Sequence, residues 1–244
     1  MSDIEALWKR ILKDIEKQGY KHKKDDAEVK EILNISAFVD NPLMEVAPNY
    51  AALTKEQYID FLERGVFDLK GYKIKGTALA NYVKSFDDND TISLVEEDSF
   101  VYSYPERLQN ILLSDKDSNI QFFNQIEIIC NRLKENKGSN RAVATLYSAG
   151  LDKDEEHIPC LNWLQALIRD DRLILSVMFR SNDIYNAFPS NMHFITYVGL
   201  SITERLQKYY PTLRFDGFYY QCSSAHYYTD ECDYETVHGI LYGD

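Results

Sequence analysis

The segment IPCLNWLQALIRDDRLILSVMFRSNDIYNAFPSN, residues 158–191, places a thiol, a guanidinium and an amide along one predicted piece of sheet. A cysteine follows a proline, a run rich in β-forming residues comes next, and Arg-Ser-Asn-Asp and Pro-Ser-Asn follow. Such a run favours strands. Arg180 ends an apolar strand, an unusual position for a fixed charge unless the side chain faces an anion. The segment therefore predicts sheet and singles out Cys160, Arg180 and Asn191.

The rest of the chain mixes helices and strands without strict alternation. Apolar residues recur at every fourth position in the first eighteen residues, which predicts an amphipathic helix there. A second helix is predicted to begin at an N-cap Thr54 and to end near Gly65, and a third is predicted to begin near residue 119 and to end at Lys137-Gly138. No linker rich in Pro, Gly or Ser divides the chain. We therefore predict a single α+β domain, residues 1–244, with a mixed sheet packed with helices.

Charge and cysteine usage restrict the partners and the compartment. The net charge of −12 would repel nucleic-acid phosphates and anionic membranes, and no Lys/Arg cluster is visible beyond GYKHKK, residues 19–24. No run of about 18 apolar residues is present, and the charged N-terminus does not resemble a signal peptide. The cysteines Cys130, Cys160, Cys222 and Cys232 form no CxxC pair. We expect a cytoplasmic protein with reduced thiols that binds neither nucleic acid nor membrane.

Cys160 and Arg180 each have an ordinary and a chemical interpretation. A lone cysteine is more often a small buried hydrophobe than a nucleophile. Thiolates become reactive when cationic groups lower the thiol pKa, and Arg141, Arg172 and Arg180 lie close to Cys160 in the sequence. The planar fork of Arg180 suits a phosphate, with the Ser181 hydroxyl as a further donor. A salt bridge from Arg180 to Asp183 is the alternative.

These residues resemble one family of proteins. The chain resembles the thymidylate synthases and the related pyrimidine nucleotide hydroxymethylases, such as the phage deoxycytidylate hydroxymethylases. The shared pattern is PC, then a strand that contains Gln, then RSxD, and then PxN. The spacing is the specific part: Arg141 precedes Cys160 by nineteen residues, Cys160 precedes Arg180 by twenty, and Arg180 precedes Asn191 by eleven. The resemblance extends from VYSYPERL, which contains Tyr102, to the SSAHYY element. It implies a thymidylate synthase-like fold that dimerises through its sheet.

The resemblance implies how a pyrimidine nucleoside 5′-monophosphate is bound and activated. Cys160 would add through its thiolate to C6 of the base, which makes C5 a nucleophile. Arg180 and Ser181 would hold the 5′-phosphate. Asn191 would contact the O4 and N3 edge of the base.

A second substrate and a second subunit are implied as well. The one-carbon unit would come from 5,10-methylenetetrahydrofolate, with Asp183 holding the pterin and Tyr102 assisting removal of the C5 proton through ordered water. His226 and Tyr228 would bond the sugar hydroxyl. Arg141 would reach across a subunit boundary to the partner's phosphate site, so the expected assembly is a homodimer with composite sites.

The catalytic carboxylate of the family belongs on the helix that begins at Thr54. Glu56, Asp60 and Glu63 lie on one face of that helix, which is either the pocket face or a solvated one. We choose Glu63 because it lies nearest the helix end. No metal site is predicted, because the five histidines form no HxxxH pair on a helix.

Departures from the family pattern bear on the product. The family's paired arginines read Asn140-Arg141 here, Leu161 follows the cysteine, and Phe179 replaces a glutamine. In the synthases, a tryptophan upstream of the element that corresponds to VYSYPERL shields the methylene group on C5 while folate returns a hydride to it. In a hydroxymethylase, water adds to that methylene group instead. The only tryptophans here are Trp8 and Trp163, so we expect hydroxymethylation.

Three questions stay open at this point. True thymidylate synthesis from dUMP is an alternative to hydroxymethylation, and a nucleotide sensor without turnover is another. Asn191 carries both a donor and an acceptor, which fits uracil, but a flipped amide would serve cytosine. The sequence does not separate ribose from deoxyribose.

Overall fold

The computed structural model describes residues 3–24, 26–40, 54–88, 103–114 and 119–243. The helices in these ranges are α1 (Ile4–Gln18), α2 (Lys55–Glu63), α3 (Gly76–Asp88), α4 (Tyr104–Gln109), α5 (Gln125–Glu135), α6 (Ala149–Asp152), α7 (Phe188–Gln207) and α8 (Tyr234–Tyr242). The strands are β1 (Tyr20–Lys24), β2 (Ala27–Asp40), β3 (Ile111–Ser114), β4 (Ile120–Phe123), β5 (Val143–Thr145), β6 (Leu161–Arg169), β7 (Arg172–Asp183) and β8 (Arg214–Tyr228).

Six strands form one mixed sheet in the order β1-β2-β8-β7-β6-β5, and β3 pairs with β4 in a separate hairpin. All neighbours in the large sheet are antiparallel except β7 and β8, which run parallel. A parallel pair needs a crossover connection, and α7 provides it. The α+β class with a mixed sheet, predicted from the sequence, is confirmed. The boundaries of a single domain at residues 1 and 244 stay a prediction.

The β6–β7 hairpin turns at Asp170 and Asp171, whose φ angles are 48° and 57°. Two successive residues with positive φ are typical of the tight hairpin turns that match strand twist, and aspartate tolerates this conformation better than most residues. The turn pairs Arg169 with Arg172 and, nine and eight residues further along the two strands, places Cys160 beside Arg180. The local chemistry of the turn therefore sets the geometry of the site.

Helix α7 lies at the centre of the molecule, with nearly all of its residues buried. It packs on the sheet so closely at Gly199 that an added Cβ would overlap the ring of Phe215. Only glycine permits this approach of backbone to ring. The position of α7 relative to β8, and of the residues in its first turn, depends on that contact.

Helix α1 packs beside the crossover. Its apolar stripe, which includes Leu7, Ile11 and Ile15, is buried as predicted. The indole nitrogen of the buried Trp8 donates to the carbonyl of Ile184 at 2.7 Å, directly after β7. The N-terminal helix is thereby attached to the turn that follows the Arg-Ser-Asn-Asp element.

Two other sequence-based helix predictions have different outcomes. Helix α2 begins after Thr54 as predicted, with a capping box in which the Thr54 hydroxyl accepts from the Gln57 amide and the Gln57 side chain accepts from Thr54. The helix predicted from residue 119 to Lys137-Gly138 is wrong in its first part, because Ile120–Phe123 is strand β4 and α5 begins only after the N-cap Asn124. Its isoleucine and paired phenylalanines favour a strand once β3 offers a partner.

No helix in the described ranges combines the length and apolar character that crossing a bilayer requires. Within the same ranges, no three His, Cys, Asp or Glu side chains are grouped so that they could hold a metal ion.

Candidate active site

Cys160 lies one residue before β6, at the edge of a cluster of polar side chains. Its carbonyl accepts from the Arg180 amide at 2.8 Å, and its Sγ lies 3.6 Å from Ser181 Oγ. The next residue, Leu161, donates its amide to the Tyr104 hydroxyl at 3.3 Å, which attaches the cysteine loop to α4. The Cys160 side chain is half-buried, so an incoming ligand can reach it.

The other three cysteines lie in environments that suppress thiolate chemistry. Burial raises the pKa of Cys130 and Cys222 to about 11 and the pKa of Cys232 to about 12. These thiols stay protonated at neutral pH and are poor nucleophiles. Cys160 is the cysteine that stands beside Arg180 and Ser181.

The Arg180 guanidinium is fixed against the loop that carries the cysteine. Nε donates to the Pro159 carbonyl at 3.1 Å, Nη2 to the Ile158 carbonyl at 2.7 Å, and Nη1 to Ser181 Oγ at 3.2 Å. In the described part of the chain, Arg180 forms no ion pair with Asp183, so the alternative of a salt bridge between them is not observed. A guanidinium carries five N–H donors, and two remain for an anion.

Asp183 closes the turn between β7 and α7. Its carboxylate accepts from the amides of Tyr185 and Asn186 at 3.0 and 2.9 Å and from the Asn186 side chain at 2.8 Å. Burial raises the pKa of this carboxyl above its usual value, against those hydrogen bonds. The carboxylate therefore has a structural task in the turn, and its role in holding a pterin stays a prediction.

Asn191 lies in the first turn of α7, with its amide N–H donating to the Ala187 carbonyl at 3.0 Å. Its side chain is 6% exposed and engaged at both ends. Oδ1 accepts from the Tyr82 hydroxyl at 3.0 Å, and Nδ2 donates to Asn182 Oδ1 at 3.2 Å. Asn191 is thus a buried helix residue whose side-chain amide is hydrogen-bonded at both ends.

His226 and Tyr228 project from the same face of β8, and a lysine joins them. The Lys24 ammonium lies 3.0 Å from His226 Nε2 and donates to the Tyr228 hydroxyl at 3.0 Å. The pairing of β7 with β8 sets Asp183 opposite His226 and Ser181 opposite Ser224, so this group adjoins the Arg-Ser-Asn-Asp element. Burial, and then the Lys24 charge, lower the pKa of His226 to about 4, so the imidazole is neutral at physiological pH.

Arg141 lies apart from the Cys160 of its own chain. Ala142 accepts from the amide of Ala166. Cys160 is six residues before Ala166 on an extended strand, which corresponds to about 20 Å. The Arg141 side chain is exposed, and its guanidinium forms no hydrogen bond or ion pair with another described residue. This position cannot serve the local site and is compatible with a site on another subunit.

The predicted proton-transfer residues are the least supported. Glu56, Asp60 and Glu63 occupy the solvated face of α2, while Tyr58, Ile59 and Leu62 face the core. Glu63 is 42% exposed and pairs with Lys84 at 3.7 Å. The structure therefore does not bring Glu63 into the cluster around Cys160. Tyr102 lies outside the described residues.

Sequence reasoning missed several residues of the site. Lys24 and Tyr82 contact predicted residues that are distant in sequence, 202 positions away for Lys24 and His226. Tyr104 contacts Leu161, the residue after Cys160, and Asn182 contacts Asn191. Of these, Asn182 had a visible signal, since it lies inside Arg-Ser-Asn-Asp.

Arg107, in the VYSYPERL element, has a structural role. It is buried and forms an ion pair with the buried Asp152.

Comparison with known proteins adds independent evidence. A thymidylate synthase family model matches residues 65–238. A protein of Methanocaldococcus jannaschii named "Putative thymidylate synthase" is 34% identical over 136 residues, 54% of this chain and 57% of its own length. Proteins with the same name from Methanosarcina mazei and Methanothermobacter marburgensis are 25% and 23% identical over 167 and 202 residues, 68% and 81% of this chain and 61% and 80% of their own lengths.

The alignments with the first two relatives span only about three fifths of those proteins, 57% and 61%. The family model, in contrast, covers most of this chain, and its range contains Cys160, Arg180, Asn191 and His226. Three of the four residues whose spacing resembles one family, Cys160, Arg180 and Asn191, are thus brought to neighbouring strands and the helix that follows them. The chain belongs to the thymidylate synthase family.

Proposed function

We propose that this protein transfers a one-carbon unit from 5,10-methylenetetrahydrofolate to C5 of a pyrimidine nucleoside 5′-monophosphate. The observation that carries the proposal is the half-buried Cys160 thiol 3.6 Å from Ser181 Oγ, with the Arg180 guanidinium bound to the same hydroxyl. A nucleophile and an anion-binding pair are thus adjacent, as attack on a phosphorylated substrate requires.

The proposed sequence of events starts with the phosphate. The two remaining donors of Arg180 and the Ser181 hydroxyl bind the 5′-phosphate, which brings the base over the thiolate. Cys160 forms a bond to C6, and the electron pair of the C5–C6 double bond makes C5 nucleophilic. C5 then bonds to the methylene carbon of the folate substrate, and the C5 proton leaves. The bond between that carbon and the folate nitrogen breaks, which releases tetrahydrofolate and leaves an exocyclic methylene on C5. Water adds to the methylene carbon, and expulsion of Cys160 from C6 restores the C5–C6 double bond. Each step depends more on holding the two substrates in the correct relative position than on a strong acid.

The remaining predicted contacts complete the proposal. Asn191 contacts the base, His226 and Tyr228 the sugar, and Asp183 the pterin. A uridylate is the proposed nucleotide, because the Asn191 amide offers one donor and one acceptor to the O4 and N3–H edge.

We propose that water captures the methylene, giving a hydroxymethyl group and tetrahydrofolate, since no tryptophan lies in the segment just before VYSYPERL: Trp8 is far upstream of it and Trp163 follows it. Methylation to dTMP is the second candidate, favoured by the name that the archaeal relatives carry.

One assay separates these candidates. The protein is incubated with methylenetetrahydrofolate and, separately, dUMP, dCMP, UMP and CMP, and the product mass and dihydrofolate absorbance are followed. A product heavier by a hydroxymethyl group with no dihydrofolate supports the proposal, whereas dihydrofolate appearing in step with a methylated product replaces it with thymidylate synthesis. Incubation with 5-fluoro-dUMP and the folate tests the sensor alternative, since only a reactive thiol gives a covalent ternary adduct.

The proposed assembly is a homodimer that associates through the sheet and shares Arg141. Met178 and Tyr219 are 41% and 50% exposed on neighbouring strands, an apolar surface suited to association. Mixing the inactive variants Arg141→Ala and Cys160→Ala tests whether Arg141 of one subunit acts in the site of the other. Random pairing gives heterodimers in which one of the two sites has both residues, so about a quarter of wild-type activity should return. No recovery after confirmed subunit exchange removes Arg141 from the phosphate site.

A further inference from the structure

Helices α5 and α7 border a second pocket, away from the Cys160 cluster. Its volume is about 340 Å³, and its lining includes Glu127, Cys130 and Lys134 of α5 and Arg205, Lys208 and Tyr209 at the end of α7. A pocket of this volume is large enough for a small ligand. Arg205 follows Asn191 by fourteen residues along α7, which corresponds to about 21 Å of helix. The pocket is therefore separate from the proposed nucleotide site.

The charge of this pocket is opposite in sign to that of the whole chain. The described residues of its lining carry three cations, Lys134, Arg205 and Lys208, and one carboxylate, Glu127. The chain as a whole has a net charge of −12. None of the three cations forms an ion pair with another residue that the structure describes. Unpaired cations gathered in a pocket create a positive local potential, which attracts anions.

Helix ends explain part of this arrangement. The last turn of a helix favours cations, because its backbone carbonyls carry partial negative charge. Lys134 and Arg205 lie in the last turns of α5 and α7. Each cation is thus stabilised at the end of its own helix. The convergence of the cations on one pocket is not explained in this way, since like charges on two helices repel each other.

The pocket also offers uncharged surface. The ring of Tyr209 is 46% exposed, and the Lys134 ammonium lies 4.6 Å from its centroid. Burial raises the pKa of Cys130 to about 11, although the nearby charge of Arg205 lowers it, so the thiol is neutral at physiological pH. An aromatic ring and a neutral thiol therefore lie beside the cations, where they can contact the organic part of an anion.

We propose that this pocket binds a small phosphate monoester. Three cations and one carboxylate leave two positive charges in the lining, which match the charge of about −2 on a phosphate monoester near neutral pH. The planar fork of Arg205 suits two phosphate oxygens, and Lys134 and Lys208 supply further donors. The organic part of the ligand lies against Tyr209 and Cys130. This site goes beyond the proposed one-carbon transfer and does not depend on it.

The test measures the dissociation constant of phenyl phosphate by calorimetry, with inorganic phosphate and benzoate for comparison. Wild type and Arg180→Gln are both used, because Arg180 offers another place for an anion. We expect a binding site that persists in Arg180→Gln and that holds phenyl phosphate at least about fivefold more tightly than inorganic phosphate, because the ring is buried as well. Benzoate, with a single charge, should bind more weakly than phenyl phosphate.

Two variants of the lining should change the affinity in opposite directions. Arg205→Gln combined with Lys208→Gln should weaken phenyl phosphate binding at least about tenfold, because two of the three cations are lost. Lys17→Gln combined with Lys75→Gln, at exposed positions on other elements, removes the same charge and should change the affinity less than about twofold. Glu127→Gln removes the carboxylate from the lining and should tighten binding about threefold.

The outcomes that overturn this proposal are independent of turnover. Absence of phenyl phosphate binding to Arg180→Gln at millimolar concentrations would refute the site, and so would equal losses in the lining variant and its charge-matched control. If the double variant of the lining does not fold, Glu127→Gln decides, because unchanged or weaker binding in that variant contradicts an anion in the pocket. Inorganic phosphate that binds as tightly as phenyl phosphate would refute the monoester.

Discussion

Strands β6–β8 and helix α2 both carry polar residues that the sequence suggested for the site, yet the two regions hold them differently. At the strand ends, main-chain hydrogen bonds hold Cys160, Arg180 and Ser181, and these side chains contact one another. On α2, Asp60 and Glu63 pair with Arg64 and Lys84 in solvent. In a sheet, the pairing register of the strands determines which side chains are neighbours. In a helix, the spacing only groups side chains on one face. Which way that face points is determined by the apolar residues on the opposite face, because they pack against the core.

The largest expected effect comes from removing the thiol at the strand end. Cys160→Ala should lower turnover to less than about 1% of wild type, because C5 is not nucleophilic without the covalent step, while nucleotide affinity changes less than about fivefold. Steady-state assays and calorimetry measure the two quantities. Cys130→Ala is the matched control. Residual activity well above that level would show that the strand cluster binds substrate without covalent catalysis.

A second prediction separates buried from exposed titrating groups. Burial lowers the pKa of His193, which is hydrogen-bonded to Tyr58 at 2.7 Å, to about 3, and the pKa of His226 is lowered to about 4. Both histidines are neutral in the folded state and titrate near 6.5 when unfolded, so the unfolded state binds more protons as the pH falls.

Stability should therefore be complete above pH 6.5 and decline as the pH falls towards 4, by up to about 1.4 kcal/mol per pH unit for each histidine. Urea unfolding at a series of pH values measures the slope. His193→Gln should remove about half of it, and His238→Gln, at an exposed position, should leave it unchanged. A slope that is the same in both variants would show that His193 is not held neutral.

A smaller effect is expected at the sugar end of the strand region. Lys24 has donors in contact with His226 and Tyr228, and one further donor can reach a sugar oxygen. Lys24→Met should weaken dUMP binding about tenfold, or about 1.4 kcal/mol, but should hardly change binding of 2′,3′-dideoxyuridine monophosphate. Lys23→Met, on the exposed face of β1, is the control. Equal losses for both nucleotides would place the lysine's effect elsewhere, such as at the phosphate.

The smallest expected effect tests α2 itself. Glu63→Gln should change kcat by less than about threefold, because a carboxylate that is 42% exposed and paired with Lys84 is poorly placed to relay protons. Lys84→Gln is the companion variant and should act similarly. A loss of a hundredfold or more with Glu63→Gln alone would restore the role predicted from the sequence and would mean that α2 moves when substrates bind.

Sequence predicted the strand region well for a physical reason. Thiol, guanidinium and amide lie within thirty-one residues of one another, and a two-residue turn at Asp170-Asp171 is enough to bring the first two together. Lys24 could not be predicted, because its contact with His226 depends on the pairing of β1 with β2 and of β2 with β8. The sequence predicts a helix over residues 120–123 because their strand partner, β3, lies outside that segment and carries no signal within it.

The contact between Trp8 and the Ile184 carbonyl gives this chain an internal optical probe. The indole is fully buried, and its N–H ends on the residue after Asp183, so any displacement of that turn changes the polarity and hydrogen bonding that the fluorophore senses. Trp163, on β6, is the only other tryptophan in the sequence, and Trp163→Phe leaves emission from Trp8 alone. Titration of folate against such a single-tryptophan protein would report, through emission wavelength and quenching, whether the pterin engages the Asp183 turn.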